Sequence, residues 1–537
     1  MQSGIATESA EREFFSRISA EISAGTISSK DQLARRKLDV AKELGLARVP
    51  RNSELLAVLG RGRLDLLLTK PSRTASGVAV VAVMSAPEYC PHGRCTYCPG
   101  GRDEGTPQSY TGKEPSALRG AQHGFDPFRI TTARVRQLQE IGHVTDKVDV
   151  IVMGGTFTAR PVEYQESFVK GIFDGLNGVV SRDLSASISV NESAPNRCIG
   201  LTVETRPDWC TAREVDTMLG YGATRVELGV QTLNQETIDR VKRMHSIEDV
   251  ERATQVSKDS GLKVGYHMMP GLPGETPASD LETMRRVFGD ERYRPDLLKI
   301  YPCLVIEGTE LYDDWKRGLY VPYDEATAVD LLAKIKAEVP PWVRISRIQR
   351  DIPAFKIDAG VRKGDVRELA KARMRELGTE CRCIRCREAG RRTRTDATPE
   401  LIRREYRASG GIEIFLSFED EFGTLHGFVR VRLPSSSAHR EELRNPAGQP
   451  DAGFVREIRV LGLALALGES GESGRSAAPV PRAQHRGLGA RLLAEAEAET
   501  TAAGLSSILV TSGVGVREYY RKHGYEPRGP YMGKRVR

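Results

Sequence analysis

Residues 77–101 read GVAVVAVMSAPEYCPHGRCTYCPGG. The first half is a strand-length run of β-branched and small apolar residues, closed by Ser85 and Pro87. The second half carries Cys90, Cys95 and Cys98 in a C-x4-C-x2-C spacing, with Gly100 and Gly101 behind them. A buried strand that delivers thiols on the loop leaving its C-terminal end has the layout of a catalytic βα unit. Three thiolates this close suit a metal far better than a disulfide network. Zinc with a distant fourth ligand such as His92 is one reading. A 4Fe-4S cluster with one open iron is the other, and the lack of a returning second cysteine pair favours it.

The same rhythm continues outward. VDVIVMGGTF (148–157), CIGLTVETRPD (198–208), TRVELGVQT (224–232), LKVGYHMMPGLPGET (262–276) and LLKIYPCLVIEGT (297–309) alternate with amphipathic helical stretches. Together with the first run this predicts an α/β unit over 76–340, a partial (β/α)6 barrel of the TIM type with parallel strands. The runs end in Gly154-Gly155-Thr156, Glu204 and Arg206, Gln231, His267, and Lys299 with Tyr301. Those endings would meet the thiols on one face.

The flanks have other compositions. Residues 1–75 read as helical and basic, with Ser29 as an N-cap and Gly45 as a stop. From Lys30 to Arg63 nine Lys/Arg stand against four Asp/Glu, and from Arg382 to Arg394 six arginines stand against one acid. Such runs fit either solvated faces or an anionic partner such as nucleic acid. The connector 341–395 holds Cys381, Cys383 and Cys386, spaced for a structural zinc. Residues 396–537 predict an α+β unit: GGIEIFLSFED and TLHGFVRVRL as an antiparallel pair, DAGFVREIRVLGLALAL as a longer strand, a Gly/Ser-rich loop over 468–481, then a strong helix. At 537 residues the chain is long enough for about three or four domains. No apolar run is long enough for a bilayer and the N-terminus has no signal-peptide pattern, so the cytoplasm is the expected compartment and no membrane partner is expected. Cys198, Cys210 and Cys303 stand alone and read as packing residues.

In order along the chain, CPHGRCTYCPGG, QSYTGKEPSALRG (108–120), VIVMGGTF, TVETRPDWC, RVELGVQT, HMMPGLPGET and YPCLVIEGT resemble the catalytic subunit family of Elongator, in its single-chain prokaryotic form. The resemblance runs from about residue 30 to the C-terminus and implies a radical S-adenosylmethionine (SAM) barrel fused to a GNAT acetyltransferase-like unit. It implies that Cys90, Cys95 and Cys98 hold the 4Fe-4S cluster, and that Gly154, Gly155, Thr156, Glu204, Arg206 and Gln231 surround SAM. It also supports zinc at Cys381, Cys383 and Cys386. Gln484-x-x-Gly487-Leu488-Gly489, followed by REYYRKHGY, resembles the acetyl-CoA signature of GNAT enzymes, with Tyr520 or its neighbour Tyr519 as the acid for the departing thiolate. Glu457 is a candidate base there. His267 and Lys299 are the candidate catalytic groups of the barrel mouth.

The implied reaction is formation of 5-carboxymethyluridine at the tRNA wobble position. A 5′-deoxyadenosyl radical would take hydrogen from the acetyl methyl group, the resulting carbon radical would add to C5 of uridine, and thioester hydrolysis would release the acid. An electron donor is required, and monomer and homodimer both remain open. Arg35, Arg36, Lys37, Lys42, Arg48 and Arg51 are the expected tRNA patch. The rival readings are a protein lysine acetyltransferase with a structural radical SAM domain, and a non-catalytic tRNA-binding module. Cys303, where the family often has Thr, and the Gly/Ser-rich loop depart from the family pattern.

Overall fold

The computed structural model describes residues 2–74, 76–392, 398–462 and 487–537. Seven strands form the first sheet: β1 (Ala79–Met84), β2 (Lys147–Met153), β3 (Arg197–Thr205), β4 (Arg225–Gln231), β5 (Lys263–Met268), β6 (Leu297–Ile300) and β7 (Arg344–Ile348). They lie in sequence order, all pairs are parallel, and β7 does not return to β1. The result is an open half-barrel. The six expected strands are all present. The seventh lies in the stretch read as connector, where Pro340-Pro341 and three arginines mask a short alternating run.

Helices including Pro127–Glu140, Val162–Asn177, Ala212–Gly220, Ile247–Asp259, Pro277–Gly289 and Glu325–Glu338 make the crossovers. They bury the outward strand residues: Val81, Val83, Val150, Val152, Val203, Val226 and Val264 are fully buried. That continuous apolar layer is the main core.

The second sheet orders as β13-β14-β12-β11-β10-β9-β8. Its strands are β8 (Glu400–Ala408), β9 (Gly411–Glu419), β10 (Leu425–Leu433), β11 (Ala452–Val460), β12 (Ser507–Val510), β13 (Glu526–Arg528) and β14 (Tyr531–Arg535). The expected antiparallel pair is β9 with β10. β11 and β12 are parallel and pair only over Ala452–Val455 with Ser507–Val510, so the rest of β11 splays away. The helix Leu488–Ala502 covers this sheet. The ends of the long strand and of the Gly/Ser-rich loop read from the sequence fall within 463–486, outside the described residues.

The second unit docks beneath the half-barrel, at the N-terminal ends of its strands. Two glycines permit the approach: a Cβ on Gly513 would lie 2.2 Å from Ile199 O, and one on Gly515 2.3 Å from Arg197 Cβ. The N-terminal helices Lys30–Glu43 and Asn52–Leu59 join Gln2–Ser23 in a small core of their own. Ser29 caps the first of these through a capping box with Gln32, as expected. No described helix is long and apolar enough to cross a membrane.

Candidate active site

The loop after β1 places Cys90, Cys95 and Cys98 at the C-terminal ends of the strands. Cys98 Sγ accepts from Ser109 N at 3.1 Å, Cys90 Sγ faces Thr156 Oγ1 at 3.5 Å, and Cys95 Sγ lies 3.2 Å from His92 Nε2. Burial, with Arg206 and Arg243 nearby, pushes His92 down to about 3, so it stands neutral beside the thiol. Gly154 and Gly155 have φ of 119° and 71°, and a Cβ on Gly154 would lie 2.4 Å from Ser85 Oγ. A Cβ on Gly155 would point at Cys90 Sγ from 3.9 Å. Only glycine lets this backbone run beside the thiols.

The pocket above the thiols is lined by Cys90, Gly155, Thr156, Glu204, Arg206, Gln231 and His267, with Arg243, Tyr110 and Tyr301. Four buried polar atoms of residues in this lining lack a partner among the described residues: Tyr97 Oη, Arg206 Nη1, Arg243 Nε and Gln231 Oε1. Buried polar groups are normally paired. Orphans converging on one pocket fit a polar ligand, and the amino acid, ribose and adenine parts of SAM match them in kind. The three thiols are not gathered as tightly as Cys381, Cys383 and Cys386, whose Sγ atoms all lie within 4.8 Å of one another. A four-iron cube spreads its thiolates wider than a single ion does, so each set fits its expected metal.

Lys299 does not line the pocket. Its Nζ lies 2.5 Å from both Glu204 Oε1 and Glu227 Oε2. Burial opposes the charge, but the two carboxylates hold the ammonium well above its ordinary pKa. Lys299 is therefore a fixed cation that positions Glu204, set behind the pocket wall and not at the mouth where it was expected to face substrate. His267 reaches the pocket, with Nε2 2.9 Å from Glu227 Oε2 and its ring edge against Tyr301. Glu204, Glu227 and His267 are grouped closely enough for a metal, but the Lys299 ammonium already occupies the cationic place between the carboxylates.

Glu227, Arg243 and Arg225 escaped the sequence reading. The signal for Arg225 and Glu227 was in RVELGVQ, where a strand expected to be buried on both faces carries polar residues at Arg225, Glu227 and Gln231. Arg243 stands in no strand and had none.

Beneath the half-barrel a second cleft opens where β11 leaves β12. It is lined by Val78, Asp149, Gly200, Lys263, Glu457, Tyr519 and Tyr520, among others. Gly487 caps the helix Leu488–Ala502 in the left-handed conformation, φ 77°. Tyr519 Oη lies 3.0 Å from where a Cβ on Gly489 would sit. Tyr519 is 37% exposed, whereas Tyr520 is buried in the sheet core, so Tyr519 has the freer hydroxyl. Burial favours a neutral Glu457, yet Lys263, Arg430 and Arg459 pull it down to about 2, which makes it a poor base. Gln484 lies outside the described residues.

The N-terminal patch divides. Arg36 binds Glu21 and Glu43, Arg48 binds Glu54, and Lys37 is buried against Asn52 at 2.7 Å. Those three are committed internally, a correction to the expected patch. Arg35, Lys42 and Arg51 are exposed and form no ion pair among the described residues.

Residues 84–287 match the family model of the radical SAM superfamily, and 295–376 that of its C-terminal domain. A half-barrel with three thiols at its mouth thus defines a radical SAM protein. Residues 12–75 match the ELP3 N-terminal domain. The chain is 45% identical over 535 residues to the tRNA uridine(34) acetyltransferase of Methanocaldococcus jannaschii, covering 96% of each chain. It is 42% identical to Elongator complex protein 3 of Homo sapiens, over 93% of this chain and 92% of that one. The solved archaeal Methanocaldococcus infernus Elp3 with N-terminus deletion (1-46) matches with TM-score 0.74 at 44% identity, covering 86% of this chain and 99% of that one. The chain belongs to the Elongator protein 3 (Elp3) family.

Proposed function

We propose that the chain modifies the wobble uridine of tRNA, building 5-carboxymethyluridine from acetyl-CoA by radical SAM chemistry. The observation that carries this reading is one chain holding both a thiol-bearing pocket with orphaned polar groups and a splayed-strand cleft with an exposed tyrosine. The relatives' printed names, tRNA uridine(34) acetyltransferase and Elongator complex protein 3, support the substrate.

Cys90, Cys95 and Cys98 would hold the 4Fe-4S cluster, which supplies the electron that cleaves SAM to a 5′-deoxyadenosyl radical. Gly154 and Gly155 leave room for SAM beside Cys90, and Thr156 donates toward the thiolate. Arg206 and Gln231 offer their unpaired atoms to the SAM carboxylate and ribose. Glu204 is fixed at the pocket wall by its 2.5 Å contact with Lys299 Nζ. In the lower cleft, assigned to a GNAT-type unit, Gly487, Leu488 and Gly489 would present backbone N–H groups to the CoA pyrophosphate. Tyr519 would protonate the CoA thiolate, with Tyr520 as packing behind it. Cys381, Cys383 and Cys386 would hold a structural zinc. Lys336 Nζ stands 3.8 Å from Cys386 Sγ, a cation beside the three sulfurs. In domain terms, residues 1–75 and the exposed Arg35, Lys42 and Arg51 would meet tRNA, 76–340 would hold SAM, 341–395 would carry zinc and 396–537 would bind acetyl-CoA in the cytoplasm.

The test is nucleoside mass spectrometry after anaerobic reaction with SAM, acetyl-CoA, a reductant and unmodified tRNA. The expected product is 5-carboxymethyluridine, absent with Cys95→Ser and at least tenfold reduced with Tyr519→Phe. Acetylated protein lysines in place of a tRNA product would favour the lysine acetyltransferase reading.

A further inference from the structure

The two pockets lie at opposite ends of the same strands. The lower cleft touches Val78, Asp149, Gly200 and Lys263, which open their strands, whereas the upper pocket touches Met153, Glu204, Gln231 and His267, which close them. From Asp149 to Met153 on β2, and from Lys263 to His267 on β5, this separation is about 13 Å, at about 3.3 Å per residue. A radical formed in the upper pocket cannot take hydrogen from an acetyl group held in the lower one. The two must meet, and the half-barrel's inner face runs between them.

That face is unlike the packed interior of a closed barrel, which layers of branched apolar side chains fill. On β1 and β2 the outward residues Val81, Val83, Val150 and Val152 are fully buried, but the inward Val80 is 42% exposed. Ala82 and Ile151, its inward neighbours, are half-buried, and the register sets Val80 beside Asp149 and Ala82 beside Ile151. An apolar strip of parallel sheet left open to solvent calls for an occupant. The facing wall is polar and continuous. Glu227 pairs with Lys299 at 2.5 Å and with Arg225 at 3.2 Å, and Arg225 reaches Asp149 at 3.4 Å. Glycine makes room for this polar wall: a Cβ on Gly265 would lie 2.9 Å from Glu227 Cγ, and one on Gly200 3.3 Å from Asp149 Oδ1.

We infer that this inner face is the track along which the acyl-pantetheine arm of acetyl-CoA reaches from the lower cleft to the SAM pocket. The inference rests on the assignment of the lower cleft to acetyl-CoA. The arm's chemistry matches both walls. Its methylenes and gem-dimethyl group cover Val80 and Ile151, and its two amides and hydroxyl face Asp149, Arg225 and Glu227. Its extended length suits the span, and Val80 and Ile151 stand between Asp149 of the lower cleft and Met153 of the upper pocket. The nucleotide end of CoA stays at the helix N-terminus beneath.

The test maps the arm directly on the full-length protein, with an acyl-CoA whose acyl end carries a diazirine. After irradiation, label is expected on β1, β2 and the pocket residues beside Met153, and excess acetyl-CoA removes it. Label confined to residues 487–520, or to the outer rim of the upper pocket, overturns the track while leaving the cleft assignment standing. Label on residues 463–486 alone overturns it too. Failure of acyl-CoA to bind at all, by calorimetry, overturns the cleft assignment and the track with it. Val80→Trp gives a second readout. The side chain is already exposed, so the larger ring needs no core space, and label above Val80 is expected to fall at least tenfold. An unchanged label pattern in that variant contradicts the inference.

Discussion

At the scale of residues, the site is governed by charge placed where burial alone forbids it. Lys299 survives because Glu204 and Glu227 each lie 2.5 Å away. Remove the ammonium and Glu204 loses its nearest cation, while Glu227 keeps only Arg225 and His267. Lys299→Met is therefore expected to cost about 3–5 kcal/mol, the range for breaking a buried pair. Chemical denaturation checks this, and a loss under 1 kcal/mol would show the carboxylates find other partners. Asp280 carries the opposite lesson. Burial pushes its carboxyl up to about 7, although Tyr323 and Gly271 N donate to it. Its folded pKa lies above its unfolded value of 3.8, so the folded state binds the extra proton between those values. Stability from this group is full below about pH 4 and drains away as pH rises toward 7. Asp280→Asn removes that drain, so its melting temperature relative to the parent should climb from pH 5 to pH 8. A constant difference across that range would refute the assignment. Residues at the strand ends were readable because each stood as a lone polar group after an apolar run. Glu227 and Arg225 were not, because polar residues alternating within a strand look the same whether they face solvent or a lumen.

At the scale of elements, legibility followed burial. The strands of the half-barrel are near-continuous apolar runs because helices cover their outer faces, and all six runs became strands. β7 and β8 were missed for a common reason. RISRI and ELIRREYRA are arginine-rich, and their apolar residues alternate too thinly to stand out. The N-terminal helix Lys30–Glu43 was readable from Ser29 and its period, but which of its cations stay free was not. Arg36, Arg48 and Lys37 find partners on other helices, which no periodicity reveals. RNA affinity should therefore depend on Arg35, Lys42 and Arg51. Replacing all three with Gln should weaken tRNA binding and lower the salt slope by about 2–3, since each phosphate contact contributes about 0.7–0.9. The same replacement at Arg36 and Arg48 should change the slope by less than one. Binding measured across a salt series separates the two, and an equal effect from both sets would contradict the division.

At the scale of the molecule, the two sheets are one body. Arg456 bridges Asp296 at 2.6 and 2.7 Å and Glu413 at 2.6 Å, and Arg432 joins Asp259 at 2.6 Å to Glu413 at 2.9 Å. Asp259 and Asp296 belong to the half-barrel and the other three to the second sheet, and all are at most 1% exposed. Ion pairs this dry carry a desolvation cost that hydrophobic packing would avoid, and in return fix one geometry. That geometry sets the lower cleft under the half-barrel's open end. The sequence announced both halves by their motifs but said nothing of how they dock, because the contacts join residues far apart in the chain. The central claim is that both pockets serve one reaction. The most direct measurement uses acetyl-CoA with a fully deuterated methyl group, SAM, reductant and tRNA, with the 5′-deoxyadenosine analysed by mass spectrometry. One deuterium in 5′-deoxyadenosine, and two on the carboxymethyl carbon of the modified uridine, are expected. Unlabelled 5′-deoxyadenosine formed alongside the modified uridine would mean that hydrogen comes from elsewhere, and would contradict the union of the two sites.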